Sequence, residues 1–376
     1  MRYAIEPIFV IFPLICFLFY VANFKQKKTV CFILAISFIL IYCFSLNGSD
    51  FYGYYTHYNM VGNGVSSSDN AQEIGYFYLM KAALRLGLDY LSFRVVLLST
   101  MTIVLFYAVT RFTKDFSLVL FFISSMFVVY TISAYRQYIV IAISLYWIYK
   151  FNQGKVKTAI CGTAALLLFH ITAVLPLGCM VFTVLRKRRK VEKSADMFKR
   201  NFSIIITLAL LTRVMATVLL RTAFFYRVVG GILGAHSTPN PTLFSFGLLS
   251  RLVFLAGVTY LFRASGTDDR AVHFLFWYYF VSIAIYVAIP LELVMGRLMN
   301  NASILCAILI PMLKREVVVS TPTAQAEHRK QNVKLLLMFL EFVAIAILIN
   351  QLLKQNGYTP YMNILLGDRP DYGMTW

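Results

Sequence analysis

Five arginines border or interrupt apolar segments, where a fixed positive charge could bind an anion. Arg136 lies in SAYRQY between two apolar segments, Arg251 begins another, and Arg297 lies in LELVMGRLMN. Arg221 and Arg227 follow a further apolar segment. A guanidinium binds phosphate through a bidentate fork, and a charge at membrane depth usually faces an interior cavity. If these side chains converge, they would form a phosphate site; singly, each could instead extend to the lipid headgroups.

Two carboxylates lie in the same hydrophilic stretch and could act as general bases. Asp50 belongs to NGSDFYGYYTHY at 47–58, and Glu73 begins EIGYFY. Each also has a structural alternative: Asp50 could cap the loop, and Glu73 could pair with Lys81 or Arg85. The tyrosines around Asp50 are typical of headgroup depth, where tyrosine is enriched.

His170 interrupts the apolar segment LLLFHITAVLP and is a further catalytic candidate. A lone histidine in such a place is more often a packing residue, but proximity to the arginines would favour catalysis. His57 and His236 lie in loops and are weaker candidates. The chain has no HExxH, GxSxG or phosphate-binding-loop motif, and none of its six cysteines forms a CxxC pair. We therefore expect no metal site and no cofactor.

The elements that position these residues must be membrane helices. Hydrophobic residues make up 60% of the 376, charged residues 14%, and the mean hydropathy is +0.72, whereas soluble proteins have about 25% charged residues. We predict an all-α, polytopic integral membrane protein with about 12 transmembrane helices, forming a single domain over 1–376. Residues 157–185 could form two short spans or one span and a re-entrant segment. The apolar segments are 4–23, 29–46, 93–110, 116–133, 137–151, 157–169, 171–185, 203–220, 246–262, 271–290, 298–313 and 334–353.

The distribution of positive charge predicts the orientation. With both termini outside, the inner segments hold 23 of the 35 lysines and arginines, as the positive-inside rule requires. The basic segment 186–200 then becomes a cytoplasmic loop that meets anionic headgroups, so the net charge of +19 does not indicate nucleic-acid binding. Residues 47–92 and 221–246 become outer-face loops, and the leucine spacing of 81–93 predicts an interfacial helix in the first of them.

Five short motifs resemble those of the EpsG/Wzy group of polysaccharide polymerases. They are DFYGYY at 50–55, EIGYFYL at 73–79, YRQYIVIAI at 135–143, LFHITAVLP at 168–176 and GRLMN at 296–300. The resemblance implies an O-antigen polymerase of lipopolysaccharide biosynthesis, a GT-C-like glycosyltransferase of the bacterial inner membrane with its active site facing the periplasm. Such an enzyme transfers a glycan from undecaprenyl diphosphate to an incoming lipid-linked repeat unit. Its partners would be this lipid-linked oligosaccharide and membrane lipids, and a chain-length regulator could join them.

The resemblance also implies roles for the candidate residues. The five arginines would hold the departing lipid diphosphate, since fixed positive charge stabilises it. Asp50 or Glu73 would assist the acceptor hydroxyl, and Tyr52, Tyr54 and Tyr55 would stack on acceptor sugars. The alternatives are an O-antigen ligase, a flippase of the lipid-linked unit, and a membrane acyltransferase centred on His170. A transporter would be expected to have repeat-related halves, and the sequence shows no convincing internal repeat.

Overall fold

The structure is a computed structural model. The chain divides into two compact units. One unit comprises Met1–Leu177 with Glu341–Trp376, and the other comprises Gly178–Leu340. Every regular element in the described residues is helical. The described residues are 7–22, 28–46, 50–65, 73–126, 134–188, 194–222, 245–290, 292–320, 323–354 and 365.

The first unit contains the helices that carry the predicted carboxylates and Arg136. Helices α5 and α7 pack against each other, and α1 packs against α6. The helices are α1 (Pro7–Val21), α2 (Lys28–Phe38, continued by the π-helical turn Ile39–Cys43), α3 (Phe51–Gly62), α4 (Ile74–Arg85), α5 (Tyr90–Phe112), α6 (Phe116–Met126), α7 (Tyr135–Asn152), α8 (Val156–Ala165) and the start of α9 (Val174–Arg188).

The second unit is built around two neighbouring helices, α12 and α13. Helix α12 also packs against α10, and α11 packs against α13. The elements are the rest of α9, α10 (Ser194–Leu220), α11 (Phe246–Ser265), α12 (Arg270–Ala288), α13 (Glu292–Ser320) and the first part of α14 (Thr323–Lys354), whose end belongs to the first unit.

Among the described residues, four helices are long and apolar enough to cross a membrane: Tyr90–Phe112, Phe246–Ser265, Arg270–Ala288 and Gln331–Asn350. The described residues also contain shorter apolar helices of 10–17 residues, and each of the twelve apolar segments overlaps a helix. These apolar helices identify a membrane protein and confirm its all-α character. The number of about twelve transmembrane helices remains a prediction.

The helix predicted over 81–93 is wrong, because the chain breaks in its middle. Helix α4 ends at Arg85, and Gly87 then adopts a left-handed φ of 71°, which favours glycine. Asp89 begins α5 by accepting a hydrogen bond from the Ser92 amide at 2.7 Å. A left-handed glycine followed by an aspartate cap therefore ends one helix and begins the next.

The segment 157–185 is two short helical pieces that are separated at His170. Helix α8 tightens into the 3₁₀ turn Leu166–Leu168, and a second 3₁₀ turn, Ile171–Ala173, leads into α9. His170 between them has an extended backbone, with φ −168° and ψ 141°. The basic segment 186–200 is also partly helical, since α9 reaches Arg188 and α10 begins at Ser194.

Candidate functional site

The structure brings Arg136, Glu73 and Tyr54 together at the amino-terminal end of α7. Nη1 of Arg136 forms a salt bridge with Oε2 of Glu73. Its Nε donates to the Tyr54 hydroxyl at 3.5 Å, and the guanidinium lies 5.7 Å from the centre of the Tyr54 ring. The Arg136 and Glu73 side chains are only 21% and 27% exposed. This half-buried cation with a fixed orientation is suited to binding an anion.

Glu73 is able to reach Arg136 because it does not cap its own helix. It precedes α4 with an extended backbone and makes no side-chain capping hydrogen bond. The suggested pairing with Lys81 or Arg85 is not what the structure shows, since Glu73 pairs with Arg136. The Lys81 ammonium instead lies 5.4 Å from the centre of the Phe77 ring.

Asp50, which directly precedes α3, and two residues of α3, Tyr54 and His57, share the side of this helix that meets Arg136. Asp50, Tyr54 and His57 follow one another at spacings of four and three residues, which places them on one side of a helix. Asp50 precedes α3 and makes no side-chain capping hydrogen bond to that helix, and its suggested role in capping the loop remains a prediction. The pKa of Tyr54 is raised above its usual value, mainly by burial. The positive charge of Arg136 acts to lower this pKa, and the negative charge of Asp50 acts to raise it. Asp50 therefore lies within electrostatic reach of the cluster.

His57 also belongs to this group, although on sequence alone it is a weaker catalytic candidate than His170. Burial, and then the positive charge of Arg136, lower the pKa of His57 below its usual value. The imidazole is therefore neutral at pH 7 and can hydrogen bond a sugar hydroxyl without adding charge. Its spacing from Tyr54 was the signal that could have identified it.

Of the three predicted sugar-binding tyrosines, Tyr54 contacts Arg136. Tyr54 is buried, whereas Tyr52 and Tyr55 are half-buried. The Tyr52 ring packs edge-on against Phe51 at 5.4 Å, and the Tyr55 ring packs edge-on against Tyr90 at 5.5 Å. Sugar stacking by Tyr52 and Tyr55 remains a prediction.

The break at His170 packs beside the start of α4. A Cβ added to Gly75 would lie 2.7 Å from the carbonyl oxygen of Leu168, so only glycine allows α4 to approach this closely. On the other side, Leu166 and Ala173 pack in one buried cluster with Val140 of α7. The break at His170 therefore adjoins α4, which follows Glu73, and α7, which contains Arg136 in its first turn.

His170 itself has a local structural role. Its Nδ1 accepts the Thr172 amide at 3.2 Å and lies 2.9 Å from the Thr172 hydroxyl. This arrangement caps the second 3₁₀ turn. A catalytic role for His170 remains a prediction.

The remaining arginines belong to the second unit. Nη1 of Arg251 donates to the carbonyl of Gly247 at 2.9 Å, and its guanidinium lies 4.9 Å from the centre of the Tyr286 ring. Arg221 is exposed just after α10. Arg227 and the side chain of Arg297 lie outside the described residues. Convergence of the five arginines on one anion thus remains a prediction.

Arg94, a fully buried arginine next to this cluster, is not among the residues that the sequence predicted. It donates to the hydroxyl of Tyr135, whose ring stacks on Tyr54 with centroids 4.3 Å apart. Arg94 is the second residue of the apolar segment 93–110. The cost of a charge within an apolar segment was the signal that could have found it.

The apolar helices and the half-buried arginine cluster define a helical integral membrane protein with a candidate anion site. The EpsG family profile matches residues 28–363, a range that includes Tyr54, Glu73 and Arg136. The chain therefore belongs to the EpsG family, and this membership suggests a polysaccharide polymerase-like role. Neither the curated proteins nor the solved structures yielded a significant match.

Proposed function

We propose that the protein is a polysaccharide polymerase that uses a lipid-diphosphate donor. It transfers an undecaprenyl-diphosphate-linked glycan to an incoming lipid-linked repeat unit on the periplasmic face of the bacterial inner membrane, as an O-antigen polymerase does. The observation that carries the proposal is the Arg136 guanidinium, which Glu73 and Tyr54 hold in one orientation at the start of α7. Family membership supports the same reaction class.

Arg136 is well placed to bind the diphosphate of the donor. Within the described part of the chain, Glu73 and Tyr54 engage Nη1 and Nε, which leaves the N–H groups of Nη2 for a phosphate oxygen. Helix α7 begins at Tyr135, and the first amides of a helix have no partner within it and favour an anion. Guanidinium and amides would together stabilise the negative charge that develops as the diphosphate leaves.

The transfer step requires a proton acceptor, and we assign that role to Asp50. The acceptor hydroxyl oxygen attacks the anomeric carbon of the donor sugar, and the bond from that carbon to the diphosphate oxygen breaks. The electron pair leaves with the lipid diphosphate, while the hydroxyl proton passes to the Asp50 carboxylate. Glu73 is engaged by Arg136, so we assign it the orientation of the guanidinium. His57 and the α3 tyrosines would contact the acceptor sugar.

Deletion of the gene, followed by gel electrophoresis of the surface glycan, tests this proposal. A polymerase mutant should place a single repeat unit on the lipid core, because ligation still proceeds without elongation. The intact gene should restore the ladder of long chains. A deletion strain without any repeat unit on the core would instead identify a ligase or a flippase, and an unchanged ladder would exclude all three functions.

A further inference from the structure

Arg94 is a fully buried cation that lies one turn into α5, a helix long and apolar enough to cross a membrane. Its Nε donates to the Tyr135 hydroxyl at 2.7 Å, and its Nη1 donates to the carbonyl of Cys43 at 3.1 Å. Its Nη2 is buried and has no hydrogen-bond partner among the described residues. None of its described contacts is a carboxylate. A buried cation is costly without such compensation, which points to a role beyond packing.

The contacts of Arg94 connect the elements that surround the candidate site. The Tyr135 hydroxyl also lies 3.2 Å from the Tyr90 hydroxyl, which donates to the Phe51 carbonyl at 3.0 Å. The guanidinium lies 5.7 Å from the centre of the Phe51 ring and 5.6 Å from that of Tyr135. Through Cys43 the same side chain holds the π-helical turn after α2. Arg94 thus joins this turn to the starts of α3, α5 and α7.

The contacts of this network lead to Arg136. The Tyr135 ring stacks on Tyr54 at 4.3 Å with an interplanar angle of 18°, and Tyr54 contacts the Arg136 guanidinium. Arg136 is also the next residue after Tyr135 in the chain. We propose that Arg94 is a positioning residue, which acts through Tyr135 and Tyr54 to fix the orientation of the Arg136 guanidinium. The proposal rests on the function proposed for Arg136.

The geometry explains why this position requires an arginine. Nε and Nη1 bind two acceptors on two different elements, and a planar fork does so with a single rigid group. Lysine would keep the charge as a single point on a flexible chain, so it should only partly restore the orientation. Methionine fills a comparable apolar volume without the buried charge, but it leaves the Cys43 carbonyl and the Tyr135 hydroxyl without this donor.

The test compares elongation by the purified protein with the lipid-linked repeat unit extracted from the producing cells as substrate. We expect Arg94→Met to lower kcat by about 10- to 100-fold, since small misplacements of a binding group have such effects, and Arg94→Lys to recover part of the loss. Tyr138→Phe is the matched control. Like Tyr135→Phe, this change removes a buried hydroxyl from α7, but the described partner of the Tyr138 hydroxyl is Thr102, at 2.8 Å, so kcat should remain near wild type.

The Arg136→Lys background distinguishes positioning from a general structural role. If Arg94 acts through the Arg136 fork, Arg94→Met should cost less than about 3-fold once lysine has replaced that fork. An equal loss in both backgrounds would overturn the proposal, and so would a wild-type kcat for Arg94→Met. If Arg94→Met does not accumulate, Tyr135→Phe removes the same hydrogen bond and carries the same comparison.

Failure of the proposed function gives a different result. In that case the wild-type protein itself would not elongate the glycan. The connection of Arg94 to Tyr135 can still be measured from melting temperatures in detergent. The double variant Arg94→Met, Tyr135→Phe should then melt close to the less stable single variant, and additive shifts would count against the network.

Discussion

The salt bridge between Glu73 and Arg136 leads to a quantitative prediction for Glu73→Gln. The amide keeps the shape of the side chain and one hydrogen-bond acceptor but removes the charge. Both partners are mostly buried, with 21% and 27% of their side-chain areas exposed. Fully exposed pairs contribute roughly 0.2 to 1 kcal/mol, and hydrogen bonds to charged groups contribute about 1.5 to 3 kcal/mol. An intermediate loss of about 1 to 2 kcal/mol corresponds to a roughly 5- to 30-fold slower transfer.

This range distinguishes orientation from general-base catalysis. Removal of a general base typically slows a reaction by about 100-fold or more, and we expect a loss of that size for Asp50→Asn. The assay is the initial rate of elongation at saturating lipid-linked repeat unit, with donor binding measured separately. A 100-fold loss for Glu73→Gln with unchanged donor binding would refute the orienting role and make Glu73 the base. Near-normal turnover in both amide variants would mean that neither carboxylate is the base.

Three further predictions concern the surroundings of the site. The folded protein holds the pKa of His57 below that of the unfolded chain, so thermal stability should fall as the pH drops below about 6.5. His57→Gln should flatten this pH dependence. Identical curves of melting temperature against pH for the variant and the wild type would contradict the prediction. Gly75→Ala should lower the melting temperature and slow transfer, because its Cβ would meet a backbone carbonyl, whereas Gly53→Ala has open space and should behave as wild type; equal effects would refute the close-packing argument. In intact cells, a membrane-impermeant thiol reagent should label Val65→Cys but not Lys190→Cys, relative to the unsubstituted chain, and the reverse pattern would overturn the orientation.

Hydropathy was enough to predict where the apolar helices lie, because a membrane helix must be apolar over most of its length. Helix α5 shows where the boundaries escaped prediction. The apolar segment begins at 93, but the helix starts at Tyr90, since Asp89 caps it. The interfacial helix predicted over 81–93 is wrong because that prediction relied on leucine spacing and did not take account of Gly87, whose left-handed backbone ends α4.

Within the site, the sequence could identify individual residues but not their partners. Arg136 was identified because charge is rare next to apolar segments. Its pairing with Glu73 joins residues that are 63 positions apart, and helical periodicity relates only residues within a few turns. The Arg94 network depends on four separate elements meeting, so it became visible only in the folded structure.

The central claim, that Arg136 binds the donor diphosphate, is tested most directly by elongation assays on purified Arg136→Ala and Arg136→Lys. Loss of an electrostatic donor should slow transfer by about 100- to 1,000-fold for alanine, with partial recovery for lysine, which keeps the charge without the fork. The matched control is Arg111→Ala, because Arg111 also packs on a tyrosine, 4.6 Å from the centre of the Tyr107 ring, at the opposite end of α5 from Arg94. We predict that this control elongates the glycan at the wild-type rate. Wild-type elongation by Arg136→Ala would contradict the account.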